Sequence, residues 1–201
     1  MRRRSALAEG LQLAGLALLL APAGIVVHEL GHFLVGWADG YPVRLNPGSV
    51  SFGPSLGDAP DRVVALQAAA GPLATVALMA IAAISLRRQH FVPWAFALAI
   101  TAPLRFLVGG AFVFALAEAW LQGRAFGGRP NFDEYNAAVA LSVSPAAVVG
   151  FQMVMVLVFW TWSIIRAPRG RRAGYVGATL AGAIAGIALW MGIIGPALLG
   201  P

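Results

Sequence analysis

The sequence contains no cysteine and no lysine, and it has few charged residues. Without cysteine the chain forms no disulfide and offers neither a thiolate metal ligand nor a cysteine nucleophile, so a metal site would need His, Asp and Glu. Only 11% of the 201 residues are charged, 59% are hydrophobic, and the mean hydropathy is +0.78. Because so few charges cannot form the polar surface of a soluble protein, the sequence predicts an integral membrane protein.

All 14 basic residues are arginine, and the formal net charge is +6. A basic protein could bind nucleic acid, but most of these arginines lie at the ends of apolar runs, where topology signals facing anionic lipid are expected. We therefore expect a lipid bilayer and no nucleic acid as partner. Arginine without lysine, with abundant alanine and glycine, favours a GC-rich bacterial genome and hence a bacterial cell membrane.

Five apolar runs are long enough to cross a bilayer, which takes about 20 residues in a helix. They predict an all-α polytopic membrane protein, with a single transmembrane domain over residues 1–201. The first run is too long for a cleaved signal peptide, although three arginines precede it, so we expect it to be retained. The predicted spans are approximately 11–37, 63–86, 92–117, 137–165 and 175–199.

Two connections between the predicted spans are long enough to carry structure. Residues 38–62 contain two short alternating segments around Asn46-Pro47-Gly48-Ser49, which predicts a small β-hairpin after the first span. Residues 118–136 end with Asp133 and Glu134 in the first turn of the next helix, with Asn131 as the predicted N-cap. A helix dipole favours acids at this position, so the pair has an ordinary structural explanation.

The first span contains an HExxH motif, His28-Glu29-Leu30-Gly31-His32. Positions four apart lie on one face of a helix, so both histidines can bind one zinc ion while the glutamate holds a water molecule. A bound zinc lowers the pKa of this water, and the carboxylate can take up the proton and return it to a leaving amine. The motif therefore predicts metal-assisted hydrolysis.

The same three polar residues can instead form a buried cluster that holds helices together. However, the His and acid frequencies of this chain predict about 0.002 chance occurrences of the motif. Ionisable residues are also costly inside a membrane, where they usually mark a functional site. Metal binding is therefore favoured over a purely structural cluster.

A catalytic zinc takes three protein ligands and a water, so the two histidines leave one ligand to be found. The candidates are Asp133, Glu118, Glu134 and His90. His90 lies in a basic loop on the predicted opposite side of the membrane, and we discount it. The residues by themselves leave the other three open, with Asp133 preferred.

The HExxH motif in the first helix, the hairpin-like loop, Gly71-Pro72 within the second span and an aspartate that opens a later helix resemble the site-2 protease family of intramembrane zinc metalloproteases. The resemblance covers about residues 20–145. In that family an aspartate from a later helix is the third zinc ligand. The resemblance therefore implies Zn²⁺ bound by His28, His32 and Asp133, with Glu29 as the catalytic general base.

The chain departs from the family pattern at two positions. Glu134 stands where better-known members have glycine, and Thr75 stands where many have asparagine. The family also places a Gly-Pro step beside the active site, which implies a substrate-positioning role for Gly71 and Pro72. Arg105, a cation inside the third span, is expected to pair with an acid near the site and to help position substrate.

The function predicted from these residues is intramembrane zinc endopeptidase activity on membrane proteins or peptides, with the hairpin edge binding an extended substrate strand. One alternative is a non-proteolytic transporter or sensor that binds metal through the same cluster. Another is a metal-free scaffold that binds membrane partners.

The arginines also predict a direction of insertion. Nine lie on the side of the N-terminus and four on the other side, which favours a cytoplasmic N-terminus. From a helix start near Leu11, His28 would then lie about 26 Å along the helix, in the outer half of the membrane. Site-2 proteases place the metal nearer the cytosol, so the side on which the site opens stays undecided.

Overall fold

The computed structural model describes residues 6–53, 59–87, 90–126 and 130–200. Within these residues, five helical segments are long and apolar enough to cross a membrane, and the one sheet has two strands. The predicted fold class is therefore confirmed as an all-α polytopic membrane protein with a β-hairpin after the first helix. Five arginines used for the insertion direction lie outside the described residues: Arg2, Arg3, Arg4, Arg88 and Arg129.

The helices and strands have the following bounds in chain order. They are α1 (Ala6–Ala38), β1 (Val43–Asn46), β2 (Ser49–Phe52), α2 (Asp61–Leu86), α3 (Pro93–Thr101), a 3₁₀ segment (Ala102–Phe106), α4 (Leu107–Leu121), α5 (Asp133–Ala140), α6 (Pro145–Arg166), α7 (Arg172–Leu189), a π-helical segment (Trp190–Ile194) and α8 (Gly195–Leu199). Thus α1 begins before the predicted 11, and the predicted third and fifth spans each contain a local change of helix type.

Helix α1 is the central element and packs against α2, α3 and α7. Its contact with α7 is close because glycines face it. A Cβ at Gly182 would lie 2.7 Å from the Cα of Ala14, and one at Gly186 would lie 2.9 Å from the Cα of Leu18. The two backbones therefore pack at a distance that only small residues allow.

The predicted fourth span, 137–165, is wrong as a single helix. Helix α5 ends at Ala140 and α6 begins at Pro145, where the hydroxyl of Ser144 caps the new helix by accepting from the Ala147 amide. Proline fits the first turn of a helix but cannot donate within one. The turn also places Ser142 at a φ of 55°. As a result, α5 is a separate short helix that packs against α2.

The predicted N-cap of α5 is also wrong. Phe132 occupies the N-cap position and makes no side-chain cap hydrogen bond. The Asn131 side chain instead accepts a hydrogen bond from Asn136 Nδ2 at 3.1 Å. The helix nevertheless begins with Asp133 and Glu134, as the sequence predicts.

The predicted hairpin is confirmed. Strands β1 and β2 are antiparallel, with Val43 opposite Phe52 and Asn46 opposite Ser49, so the turn consists of Pro47 and Gly48. Phe52 packs toward the C-terminal part of α1, because a Cβ at Gly36 would lie 2.9 Å from its ring. The hairpin therefore folds back over the half of α1 that carries the HExxH motif.

Candidate metal centre

The polar residues of the motif lie in the interior of the protein. His28, Glu29 and His32 are 0%, 1% and 5% exposed. His28 lies ten residues before Ala38, about 15 Å from the end of α1 at the usual helical rise. Polar and ionisable groups are costly to bury unless they have polar partners, so each of these side chains needs one.

Two helices bring three candidate ligand atoms to one point. Asp133 Oδ2, at the start of α5, lies 2.8 Å from His28 Nε2 and 3.2 Å from His32 Nε2. The two histidine Nε2 atoms are 3.2 Å apart. Among the described residues this is the one group of three or more His, Asp and Glu with ligand atoms close enough to hold a metal ion.

The second nitrogen of each histidine has a partner on α2. His32 Nδ1 donates to the carbonyl oxygen of Gln67 at 2.6 Å, and His28 Nδ1 lies 2.9 Å from Thr75 Oγ1. A carbonyl only accepts, so Nδ1 of His32 carries a proton, and loss of the proton on Nε2, which lies 3.2 Å from Asp133 Oδ2, would present a lone pair to a metal. Such contacts fix the tautomer and ring orientation of metal-ligating histidines.

The residues fit a zinc ion. Two imidazole nitrogens and one carboxylate oxygen form a ligand set that zinc accepts, and the ligands of a tetrahedral zinc lie about 3.3 Å apart. The observed separations of 2.8 and 3.2 Å are close to that value. Gly71 leaves the space beside the cluster, because a Cβ there would lie 2.6 Å from His28 Nε2. Three ligands also leave one zinc position for water or substrate.

The two acids at the start of α5 differ in their environment. Burial alone would raise the pKa of Asp133, but hydrogen bonds with His28 and His32 outweigh it and hold the pKa well below its usual range. The carboxylate is therefore ionised at neutral pH. Burial raises the pKa of Glu134, which accepts a hydrogen bond from Gln152 Nε2 at 3.1 Å.

The other candidate ligands lie apart from the cluster. Glu118, near the end of α4, is 47% exposed and lies 3.5 Å from Arg124. Glu134 lies next to Asp133 in the chain but is not part of the group of three. His90 is exposed in the connection between α2 and α3. Of the residues weighed as third ligand, the structure brings Asp133 alone to the histidines.

Glu29 makes an ion pair. Arg105, in the 3₁₀ segment after Pro103, donates from Nη2 to Glu29 Oε1 at 2.7 Å. The expected pairing of Arg105 with an acid near the site is thus confirmed. The pair sets a fixed orientation for the carboxylate next to the histidines.

A cleft of about 610 Å³ reaches the cluster. Its walls come from the hairpin, the start of α2, the 3₁₀ segment and α5. The lining includes Glu29, His32 and Asp133 together with Ser49, Val50 and Phe52 of β2. Arg105 is the one cation among the described residues that line it. A substrate in this cleft would lie beside both the candidate ligands and the hairpin.

Two residues of α2 that contact the motif histidines were not predicted as site residues. Gln67 and Thr75 are 3% and 1% exposed, and each contacts a histidine of the motif. They lie four residues on either side of Gly71, so all three share one face of α2. Two polar residues at this spacing around a glycine, within an apolar span, form a signal that the sequence does contain.

The chain was compared with family models, curated proteins and solved structures. No family model, no curated protein and no solved structure matches the chain.

Proposed function

We propose that this protein is an intramembrane zinc metalloendopeptidase that resembles the site-2 proteases and hydrolyses peptide bonds in or next to the bilayer. One observation carries the proposal: His28, His32 and Asp133 converge on a point that borders the same cleft as Glu29. A structural cluster needs no adjoining cleft and no free position, whereas hydrolysis needs both.

The ligands and the base have separate roles. His28, His32 and Asp133 would hold Zn²⁺, which when bound polarises a substrate carbonyl and lowers the pKa of a water molecule. Glu29 would accept a proton from the attacking water and deliver it to the amine of the leaving peptide. Arg105 and the surrounding helices hold the Glu29 carboxylate in place for both transfers.

The hairpin supplies a place for an extended substrate. In a two-stranded sheet each strand keeps one free edge, and residues of β2 line the cleft. Main-chain hydrogen bonds to such an edge would bind a peptide as an added strand, which requires a substrate helix to unwind first. The substrates are therefore membrane proteins or membrane peptides. The space beside Gly71 is taken by the nitrogens of His28 and His32, and a substrate-positioning role for Gly71 and Pro72 stays a prediction.

The setting of the proposed enzyme is a bacterial cell membrane with a cytoplasmic N-terminus. Glu9 near the start of α1 pairs with Arg171 just before α7, so these two ends lie on the same side. Arg87, Arg166, Arg169 and Arg172 belong to the ends and connections on that side by chain alternation. This excess of arginine supports cytoplasmic placement.

The decisive experiment replaces Glu29 by Gln. We expect the purified variant to bind one zinc, as the wild type does, and to cleave a membrane-peptide substrate slower by about 10²- to 10⁴-fold, the usual effect of losing a general base. Zinc content by mass spectrometry and cleavage in detergent or liposomes are measured together. Glu118→Gln, outside the cleft, is the control and should cleave as the wild type does.

Other outcomes select the alternatives. A Glu29→Gln variant that binds zinc and cleaves as fast as the wild type would refute the proposed role of the base. Stoichiometric zinc with no cleavage and with metal-dependent flux would indicate a transporter or sensor. Protein purified under mild conditions without zinc would indicate a metal-free scaffold.

A further inference from the structure

The turn of the hairpin is held by two side chains from distant parts of the chain. Trp190 Nε1 donates to the carbonyl oxygen of Pro47 at 2.6 Å, and Arg105 Nη2 donates to the carbonyl oxygen of Gly48 at 3.4 Å. Pro47 and Gly48 are the two residues of the turn. Both carbonyls that a two-residue turn leaves outside the strand ladder are therefore bound by side chains.

The last span packs closely on the same turn. A Cβ at Gly48 would lie 2.8 Å from Met191 Cε, and one at Gly195 would lie 2.7 Å from Pro47 Cβ. Trp190 and Met191 begin the π-helical segment, a local widening that re-aims side chains and is frequent at functional sites. In this protein the widened turn coincides with the contact on the hairpin.

The Arg105 nitrogen that holds the turn also holds the base. Nη2 donates to Glu29 Oε1 at 2.7 Å and to Gly48 O at 3.4 Å. A terminal guanidinium nitrogen has two N–H groups, so both are used by these two acceptors. If the turn moves, the bond from Arg105 Nη2 to Gly48 O changes. The same nitrogen holds Glu29, so a movement of the turn can reach the Glu29 carboxylate.

We propose that Trp190 and Arg105 are positioning residues that hold the hairpin turn over the cleft, and that Arg105 couples the position of the hairpin to the orientation of Glu29. This inference rests on the proposed peptidase function. Trp190 acts on the substrate strand through the hairpin alone. Arg105 acts on the hairpin and on the base. The two residues therefore differ in the kinetic constants that they control.

The test compares Trp190→Phe and Arg105→Gln in the full-length protein, in detergent. Phenylalanine keeps most of the ring and removes the N–H donor, while glutamine removes the guanidinium. Hydrogen exchange of the hairpin amides, residues 43–52, is measured with steady-state cleavage.

Two controls are matched in chemistry: Trp160→Phe removes an indole bond to Ile100 O at 3.2 Å, and Arg124→Gln removes an arginine outside the cleft.

We expect faster hairpin exchange in both variants, by about 5-fold for the loss of one hydrogen bond of ordinary strength. In Trp190→Phe, KM should rise by a similar factor and kcat should fall by no more than about 2-fold, because the looser turn disturbs only the 3.4 Å bond of Arg105 while its 2.7 Å bond to Glu29 is kept. In Arg105→Gln, KM should rise and kcat should fall on the order of 10²-fold, the effect of a misplaced catalytic group. The controls should match the wild type in exchange, KM and kcat.

Three results would overturn the inference. The first is Trp190→Phe exchange equal to that of Trp160→Phe. The second is Arg105→Gln that lowers kcat while hairpin exchange and KM stay at wild-type values, since Arg105 would then serve Glu29 alone. The third is faster exchange throughout α6 as well, which would mean general unfolding. A wild type that cleaves no peptide counts against the proposed function instead, and the exchange data still decide whether the turn is held.

Discussion

The absence of a side chain at Gly71 makes room for the candidate zinc ligands. A Cβ there would lie 2.6 Å from His28 Nε2 and 2.8 Å from His28 Cδ2. The ring cannot easily retreat, because its Nδ1 is held by the buried Thr75. The glycine is thus required by a side-chain contact across two helices and by no feature of its own helix.

We predict that Gly71→Ala lowers zinc affinity by about 100-fold, the upper end of the loss seen when the support of a ligand is disturbed. The added methyl displaces both histidine rings, because His32 Nε2 is the atom nearest to the new Cβ and His28 Nε2 is the next. Zinc competition titration of the purified protein measures the effect. Gly15→Ala, a position with nothing within 4 Å of the new Cβ, is the matched control. Equal affinities for the two variants would show that Gly71 does not border the metal.

At the residue scale, the spacing of His28, Glu29 and His32 was enough to predict a metal site. The residues alone left Asp133, Glu134 and Glu118 open with Asp133 preferred, and the family resemblance then implied Asp133 as the third ligand. The roles of Thr75 and Gln67 did not follow, since they depend on how α2 crosses α1. The close crossing of Gly31 with Ala70, where a Cβ would lie 2.6 Å from the carbonyl oxygen, sets that geometry.

At the element scale, the contact of α7 with α1 depends on glycine. A Cβ at Gly182 would lie 2.7 Å from both the Cα and the carbonyl carbon of Ala14. Those atoms belong to a helix backbone, so relief would require the helices to separate. The same helix carries Gly177, where a new Cβ has nothing within 4 Å.

Alanine substitutions at these two glycines should therefore change the free energy of unfolding in opposite directions. Gly182→Ala should destabilise the protein by about 1–3 kcal/mol, the usual cost of overpacking. Gly177→Ala should stabilise it by roughly 0.5–1 kcal/mol, because alanine favours the helix interior. Reversible unfolding in mixed micelles measures both. A change of the same sign and size in the two variants would mean that the α1–α7 contact is not close.

Element boundaries were predicted least well where local chemistry competes with hydropathy. The fourth apolar run continues through residues 141–144, so it reads as one span, but Ser144 and Pro145 begin a new helix there. The cap and the proline are visible in the sequence. The cap and the proline break the apolar run into two helices because α5 packs against α2 as a separate helix.

At the scale of the whole molecule, the two ends of the bundle carry different chemistry. Glu9 contacts both Arg171 and Tyr175 at one end, where aromatic rings of Phe91 and Phe96 pack with the tyrosine. The hairpin and α5 lie with the cleft at the other end. The arginine-rich end and the candidate metal centre thus lie toward opposite ends of the helical bundle.

This arrangement predicts the outcome of cysteine labelling, for which a chain without cysteine is well suited. If the arginine-rich end faces the cytoplasm, as we propose, an impermeant maleimide should label Ser51→Cys in the exposed hairpin strand of intact cells and leave Pro168→Cys unlabelled until the membrane is permeabilised. Neither substitution changes the charge. The reverse pattern would place the N-terminus outside and the cleft toward the cytosol.

The sequence by itself determined the class of protein and predicted the metal chemistry at its centre. Too few charges to coat a soluble fold, and a motif whose residues repeat at the period of a helix, are local properties that need no tertiary contact to be read. The tertiary structure decided the rest: that Asp133 meets both histidines, that Arg105 reaches both Glu29 and Gly48, and that Trp190 holds Pro47. These contacts join residues far apart in the chain, and their distances are set by helix crossings that packing alone determines.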